Sequence, residues 1–145
     1  MKQFTGIMLI LLLFAISCGR QVRPEYSAIR QEFDRISRMV EQDRSRVRRL
    51  ENYRVADTGF FYILDREGTV VFHPEAVLIG RSFGSFPFVR AILEEKEGCL
   101  IYRVASRQQV VLFAPLNPRE IICLTMELGE VRGDLPACRE MELDR

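Results

Sequence analysis

The chain holds one histidine, His73, and four cysteines, Cys18, Cys99, Cys123 and Cys138. No CxxC and no second histidine accompany them, so a zinc site is not expected, and one histidine among scattered cysteines gives no Cys/His or Ser/His/Asp group in a recognisable order or spacing. A nucleophile elbow and a glycine-rich phosphate loop are also missing from the sequence. What remains is binding chemistry. Guanidinium forks are available at Arg81 and Arg103, phenols at Tyr62 and Tyr102, an imidazole at His73 and an aromatic wall at Phe88. Arginine forks suit carboxylates, and ligand pockets are mostly apolar surfaces with a few placed polar groups. The expected function is therefore binding of a small polar metabolite, with no catalysis, no cofactor and no metal.

Strands and one short helix must position these residues. Runs of β-branched and aromatic residues at 60–65 and 69–72, joined through Arg66-Glu67-Gly68, predict a hairpin. His73-Pro74 ends the second strand, and an irregular stretch leads to Phe86. A helix is expected over 87–96, closed by Gly98 as a C-cap. Three more strands follow at 99–105, 108–116 and 120–126, turning at Ser106-Arg107 and at Asn117-Pro118. On this reading Tyr102 shares a face with Leu100 and Val104, so its hydroxyl needs a buried partner or a ligand. Arg103 points the other way.

Apolar residues occupy both faces of the sheet, with Phe60, Tyr62 and Leu64 opposite Phe61 and Ile63, so two covers are required. One is a helix over residues 25–55, whose apolar positions Tyr26, Ile29, Phe33, Ile36, Val40, Val47 and Leu50 advance in steps of three and four, with Asp43 in the missing place. That seam either packs on the chain's own sheet or pairs with a second copy. The other cover is the short helix with its preceding loop. The expected class is α+β, with a long N-terminal helix on a five-stranded antiparallel, PAS-like sheet.

The N-terminus sets the compartment. Lys2, an uncharged apolar run over residues 7–16 and Ser17 before Cys18 describe a secretory signal, too short at about 1.5 Å per residue to span a hydrocarbon core of about 30 Å. With cysteine at the cut, the segment resembles a bacterial lipoprotein signal, which implies that residues 1–17 are removed and Cys18 is acylated. The product is expected on a bacterial membrane, at the periplasmic face or cell surface, with residues 18–24 as tether. Losing Lys2 brings the bases from 21 to equality with the 20 acids. A neutral, exported chain is a poor partner for nucleic acid. Cys99 and Cys123 lie in apolar runs and are expected to be buried small hydrophobes. Cys138, in an acidic tail over residues 129–145 broken by Gly133 and Pro136, is expected to be the reactive thiol. Their pairing is left open.

From Gly59 the chain reads GFFYILDREGTVVFHP, then Ile79-Gly80-Arg81, and later Gly98 to Tyr102. This succession resembles the core of a Cache domain: a strand with a D-x-x-G hairpin, a second strand ending in HP, a loop bearing G-[KR/S], a helix and a G-x-x-x-Y strand. The resemblance covers about residues 57–128. It implies an extracytoplasmic sensor module that binds organic acids, amino acids or similar nutrients between sheet and covering loops, and reports to a membrane receptor or other partner. Gln108, Gln109 and Phe113 stand about where that family often carries lysine and tyrosine. No second apolar span or output domain follows Met126 in the sequence. The alternative is a structural or interaction lipoprotein with a degenerate Cache-like fold, whose N-terminal helix dimerises or holds the partner.

Overall fold

Alternation along the first strand divides the interior into two cores. In the computed structural model, which describes residues 22–142, β1 is Phe60–Asp65 and β2 is Val70–Phe72. Phe61 and Ile63 face one core, whereas Tyr62 and Leu64 face the other. The remaining strands are β3 (Gly98–Val104), β4 (Arg107–Asn117), β5 (Glu120–Glu127) and β6 (Cys138–Glu140). They form one six-stranded sheet in the order β2-β1-β5-β4-β3-β6. All neighbours are antiparallel except β3 and β6, which are parallel. The expectation of five antiparallel strands therefore missed one strand and its direction.

That sixth strand comes from the tail. Cys138 pairs in register with Cys99, and the two form a disulfide. The tail is tied again where Met141 N–H donates to Ile101 O (2.8 Å) and where Arg139 pairs with Glu95. Residues 129–142 thus pack onto the domain instead of extending from it. Cys99 is a disulfide partner, not a lone hydrophobe, and Cys138 is not a free thiol. Cys123 is free and buried, as expected.

The N-terminal helix, α1, spans Tyr26–Gln42 and stops well short of residue 55. Asp43, the polar residue in the apolar seam, ends it. Its backbone is extended (φ −147°), and its carboxylate accepts from Ser45 N–H (3.1 Å) and Ser45 Oγ–H (2.6 Å). That carboxylate caps a separate 3-10 helix, Arg44–Leu50. Aspartate competes for the backbone in this way and so breaks helices more readily than it continues them. Ile29, Phe33, Ile36 and Val40 are all buried against the chain's own sheet, with Phe33 stacked on Phe61 at 6.3 Å. Burying each such side chain contributes roughly 1.5–3 kcal/mol. The buried part of the apolar seam is therefore spent on the chain's own sheet.

On the opposite face lies α2, Pro87–Glu95, with proline in its first turn. Its buried Val89, Ala91 and Ile92 rest on Leu64, Leu100, Val111, Phe113 and Ile121. The helix ends at Lys96, which adopts a left-handed conformation (φ 67°). Gly98, expected to be the cap, instead opens β3. The β3–β4 turn is Ala105-Ser106, one residue earlier than expected, with Ala105 at φ 53°.

Candidate functional site

The covering loop before α2 is built against the free edge of β2. Val70 N–H donates to Arg81 O (2.9 Å), Gly80 N–H donates to Val70 O (2.8 Å), and Thr69 bridges Ser82. Pairing satisfies backbone groups that an edge strand would otherwise expose. At the hairpin tip, Asp65 Oδ1 accepts from Glu67 N–H (2.9 Å) and Thr69 N–H (2.8 Å). Gly68 there has φ +85°, and a Cβ on it would lie 2.7 Å from Gly84 Cα. Phe83 N–H donates to Gly68 O (2.9 Å), which locks loop to hairpin.

This arrangement leaves a pocket of about 190 Å³ between sheet and cover. Phe60, Tyr62 and Leu64 come from β1, Val70 from β2 and His73 from just beyond it. Tyr102 comes from β3 and Thr125 from β5. Leu78, Phe83, Phe88 and Val89 descend from the loop and α2. The rings touch in sequence: Phe88 stacks on Tyr102 (4.3 Å, 8°), and His73 meets Phe60 edge-on (5.0 Å) and Tyr62 at 6.1 Å.

The polar tips of this pocket already have partners. Tyr102 Oη and Thr125 Oγ1 are 3.1 Å apart, and Thr125 Oγ1–H donates to Val110 O (3.3 Å). The Tyr62 hydroxyl is hydrogen-bonded to the Cys123 thiol. Burial pushes the Tyr102 phenol up to about 12, raises Tyr62 well above the usual phenol range and raises the Cys123 thiol. All three therefore stay protonated at neutral pH, and Cys123 lacks the thiolate that nucleophilic chemistry requires. His73 Nδ1 accepts from Glu75 N–H (2.9 Å), so the neutral ring carries its proton on Nε2. Burial, assisted by Arg54 and opposed by Glu75, holds the imidazole below its ordinary pKa and so favours the neutral form.

Of the six residues expected to bind a ligand, Tyr62, His73, Phe88 and Tyr102 converge on this pocket. Arg81 and Arg103 do not. Arg81 contributes its backbone to the loop–β2 pairing and is exposed. Arg103 is exposed too. It lines an outer groove of about 510 Å³ with Phe86, Val104, Met141 and Glu142, beyond the Phe88–Tyr102 stack. Phe60 and Thr125 were not expected. Phe60 follows from the same alternation as Tyr62, and Thr125 sits opposite it in the β1–β5 register, a lone hydroxyl in an apolar strand. Cys18 lies outside the described residues. Among those residues, no cluster of His, Cys, Asp and Glu is placed to hold a metal, and no helix is long and apolar enough to cross a membrane.

No protein-family model matches the chain, and no curated protein matches it significantly. Solved structures do. A methyl-accepting chemotaxis protein from Vibrio parahaemolyticus RIMD 2210633 aligns over 70% of this chain and 80% of its own, at 14% identity and a TM-score of 0.51. A Cache chemosensory domain, solved for its recognition of carboxylic acids, aligns over 64% and 82%, at 13% identity and a TM-score of 0.50. The ligand-binding domain of Mlp24, solved with asparagine, aligns over 60% of this chain at 19% identity and a TM-score of 0.49. This chain spans only about a third of that domain, 35%. The first two likenesses establish the fold, which is that of a Cache domain.

Proposed function

We propose that this chain is a lipid-anchored extracytoplasmic binding module, in which a small molecule in the pocket beneath α2 is sensed and its occupancy read by a partner protein. The observation that carries the reading is the pocket itself, built by four of the six expected binding residues where the sheet meets the covering loop. Two further features support it. A Cys99–Cys138 disulfide suits an oxidising compartment outside the cytoplasm, and residues 1–18 carry the lipoprotein pattern. An interaction lipoprotein working through α1 is the weaker reading, because Ile29, Phe33, Ile36 and Val40 are buried against the sheet.

Thermal unfolding of the full chain against organic acids, amino acids, purines, polyamines and neutral aromatics tests the binding half. A ligand at a hundredfold excess over its Kd adds about 2.7 kcal/mol. A shift lost in Tyr102→Ala supports the reading, and a panel without any shift counts against it. For the anchor, Cys18→Ala should abolish incorporation of labelled fatty acid and release the protein from membranes. Unchanged attachment without label refutes acylation.

A further inference from the structure

The pocket's lining contains no aspartate, glutamate, lysine or arginine. A carboxylate seated there would give up part of its hydration to apolar walls without gaining a cation, which costs free energy in a site with no ionised lining. The two arginines near enough to be considered are both directed elsewhere: Arg81 is exposed on the loop, and Arg103 stands in the outer groove across the Phe88–Tyr102 stack. The phenols cannot substitute as a clamp, since Tyr62 is engaged by Cys123 and Tyr102 by Thr125. His73 is the only lining residue with a side-chain N–H, on Nε2, and burial favours its neutral form. Size narrows the class further. An apolar cavity of about 150 Å³ accepts benzene, so about 190 Å³ accommodates one ring and a small substituent. Six rings form the walls, and aromatic surfaces offer offset and edge-on contacts to another ring.

We infer that the pocket takes an uncharged, single-ring ligand bearing one carbonyl or hydroxyl oxygen, and rejects carboxylates and zwitterions of the same size. This rests on the small-molecule reading above and narrows it. The ring lies among Phe60, Tyr62, Phe83 and Phe88, and its oxygen accepts from His73 Nε2–H. Charge is kept to the outer groove, where Arg103 and Glu142 remain in water.

The test compares two probes of nearly the same shape, the neutral 4-fluorobenzamide and the anionic 4-fluorobenzoate. Their 19F line widths are titrated with the full chain in lipid nanodiscs at pH 7.5, with empty nanodiscs as the blank for partitioning. The amide should bind at least 30-fold tighter than the carboxylate. Leu78→Trp, which fills the pocket from the exposed side, should abolish amide binding, with circular dichroism confirming the fold. His73→Phe keeps a ring but removes the donor. It should weaken the amide about tenfold and leave fluorobenzene, which has no oxygen, unchanged. Benzoate binding as tightly as the amide and losing its site in Leu78→Trp or Arg103→Ala overturns the ligand class but leaves a small-molecule sensor. No binding of any ring up to millimolar concentration also overturns the class, and the broader thermal panel then decides separately whether the chain binds another chemistry.

Discussion

Replacing Cys99 and Cys138 together by alanine should remove about 4 kcal/mol from the free energy of unfolding. The bridge joins residues 39 apart in sequence. Loop-closure entropy for that separation is about 13 cal/mol/K, or about 3.9 kcal/mol at 25 °C, through restriction of the unfolded chain. Domains of this kind have only about 5–15 kcal/mol of stability in total, so the loss lowers Tm by on the order of 10–20 °C. Alanine is the right replacement because Cys99 is 2% exposed, and a serine there would bury a hydroxyl. The assay is urea unfolding of the full chain followed by far-UV circular dichroism, on the oxidised protein, the reduced protein and the double variant. The last two should share one midpoint, well below the first. Cys123 is buried and already free, so among the described residues a reductant acts on the bridge alone. A difference below about 1 kcal/mol, or a reduced protein that keeps the oxidised midpoint, would refute both the closure and the view that the tail is held to β3 through it.

Phe33→Ala should cost about 3–5 kcal/mol, because Phe33 is fully buried and stacked on Phe61; a loss under 1 kcal/mol in the same urea assay would mean that α1 does not seal the sheet. His73 gives a pH signature. Its folded pKa lies below the ordinary 6.5, so its contribution is fully present above pH 6.5 and is lost as pH falls, because the unfolded ring takes up a proton that the buried one resists. The Tm of the wild type should therefore fall relative to that of His73→Gln as pH drops from 7 toward 5, and parallel curves would contradict the burial argument. Gly68→Ala should destabilise by about 1–3 kcal/mol, since its φ of +85° and the 2.7 Å approach to Gly84 Cα leave no room for a methyl group. Thermal unfolding checks this, and a neutral result would show that loop and hairpin are not locked.

Period-two alternation made β1 legible to the residue, and the same pattern sent Tyr62 to the pocket and Phe61 to α1. A local pattern is enough where a strand is half committed to each core. It was insufficient for α1, whose 3.5-residue seam continues past residue 42 although the helix does not. The heptad places Asp43 without registering that its carboxylate would bond Ser45 N–H and end the helix. Strand β6 was illegible for a different reason. Three residues of mixed polarity carry no periodicity, and their pairing depends on a covalent bond between positions 39 apart. With three cysteines after Cys18, sequence could not say which two would meet.

The arginines show why residue type alone could not say which side chains would converge on the pocket. A guanidinium after glycine in a covering loop satisfies the chemistry of carboxylate recognition, but geometry had a prior claim on that segment. Residues 80–82 must run beside β2, because Val70 would otherwise keep an unpaired N–H and C=O at the sheet edge. Once Arg81 is committed through its backbone, Leu78 and Phe83 are the neighbours that turn inward, and the guanidinium stays in water. At β3, the stacked Phe88 and Tyr102, with Phe83, line both the inner pocket and the outer groove, whereas Arg103 lines the groove and not the pocket. An anionic ligand therefore finds no cation among the pocket's own walls, whereas an uncharged ring needs none.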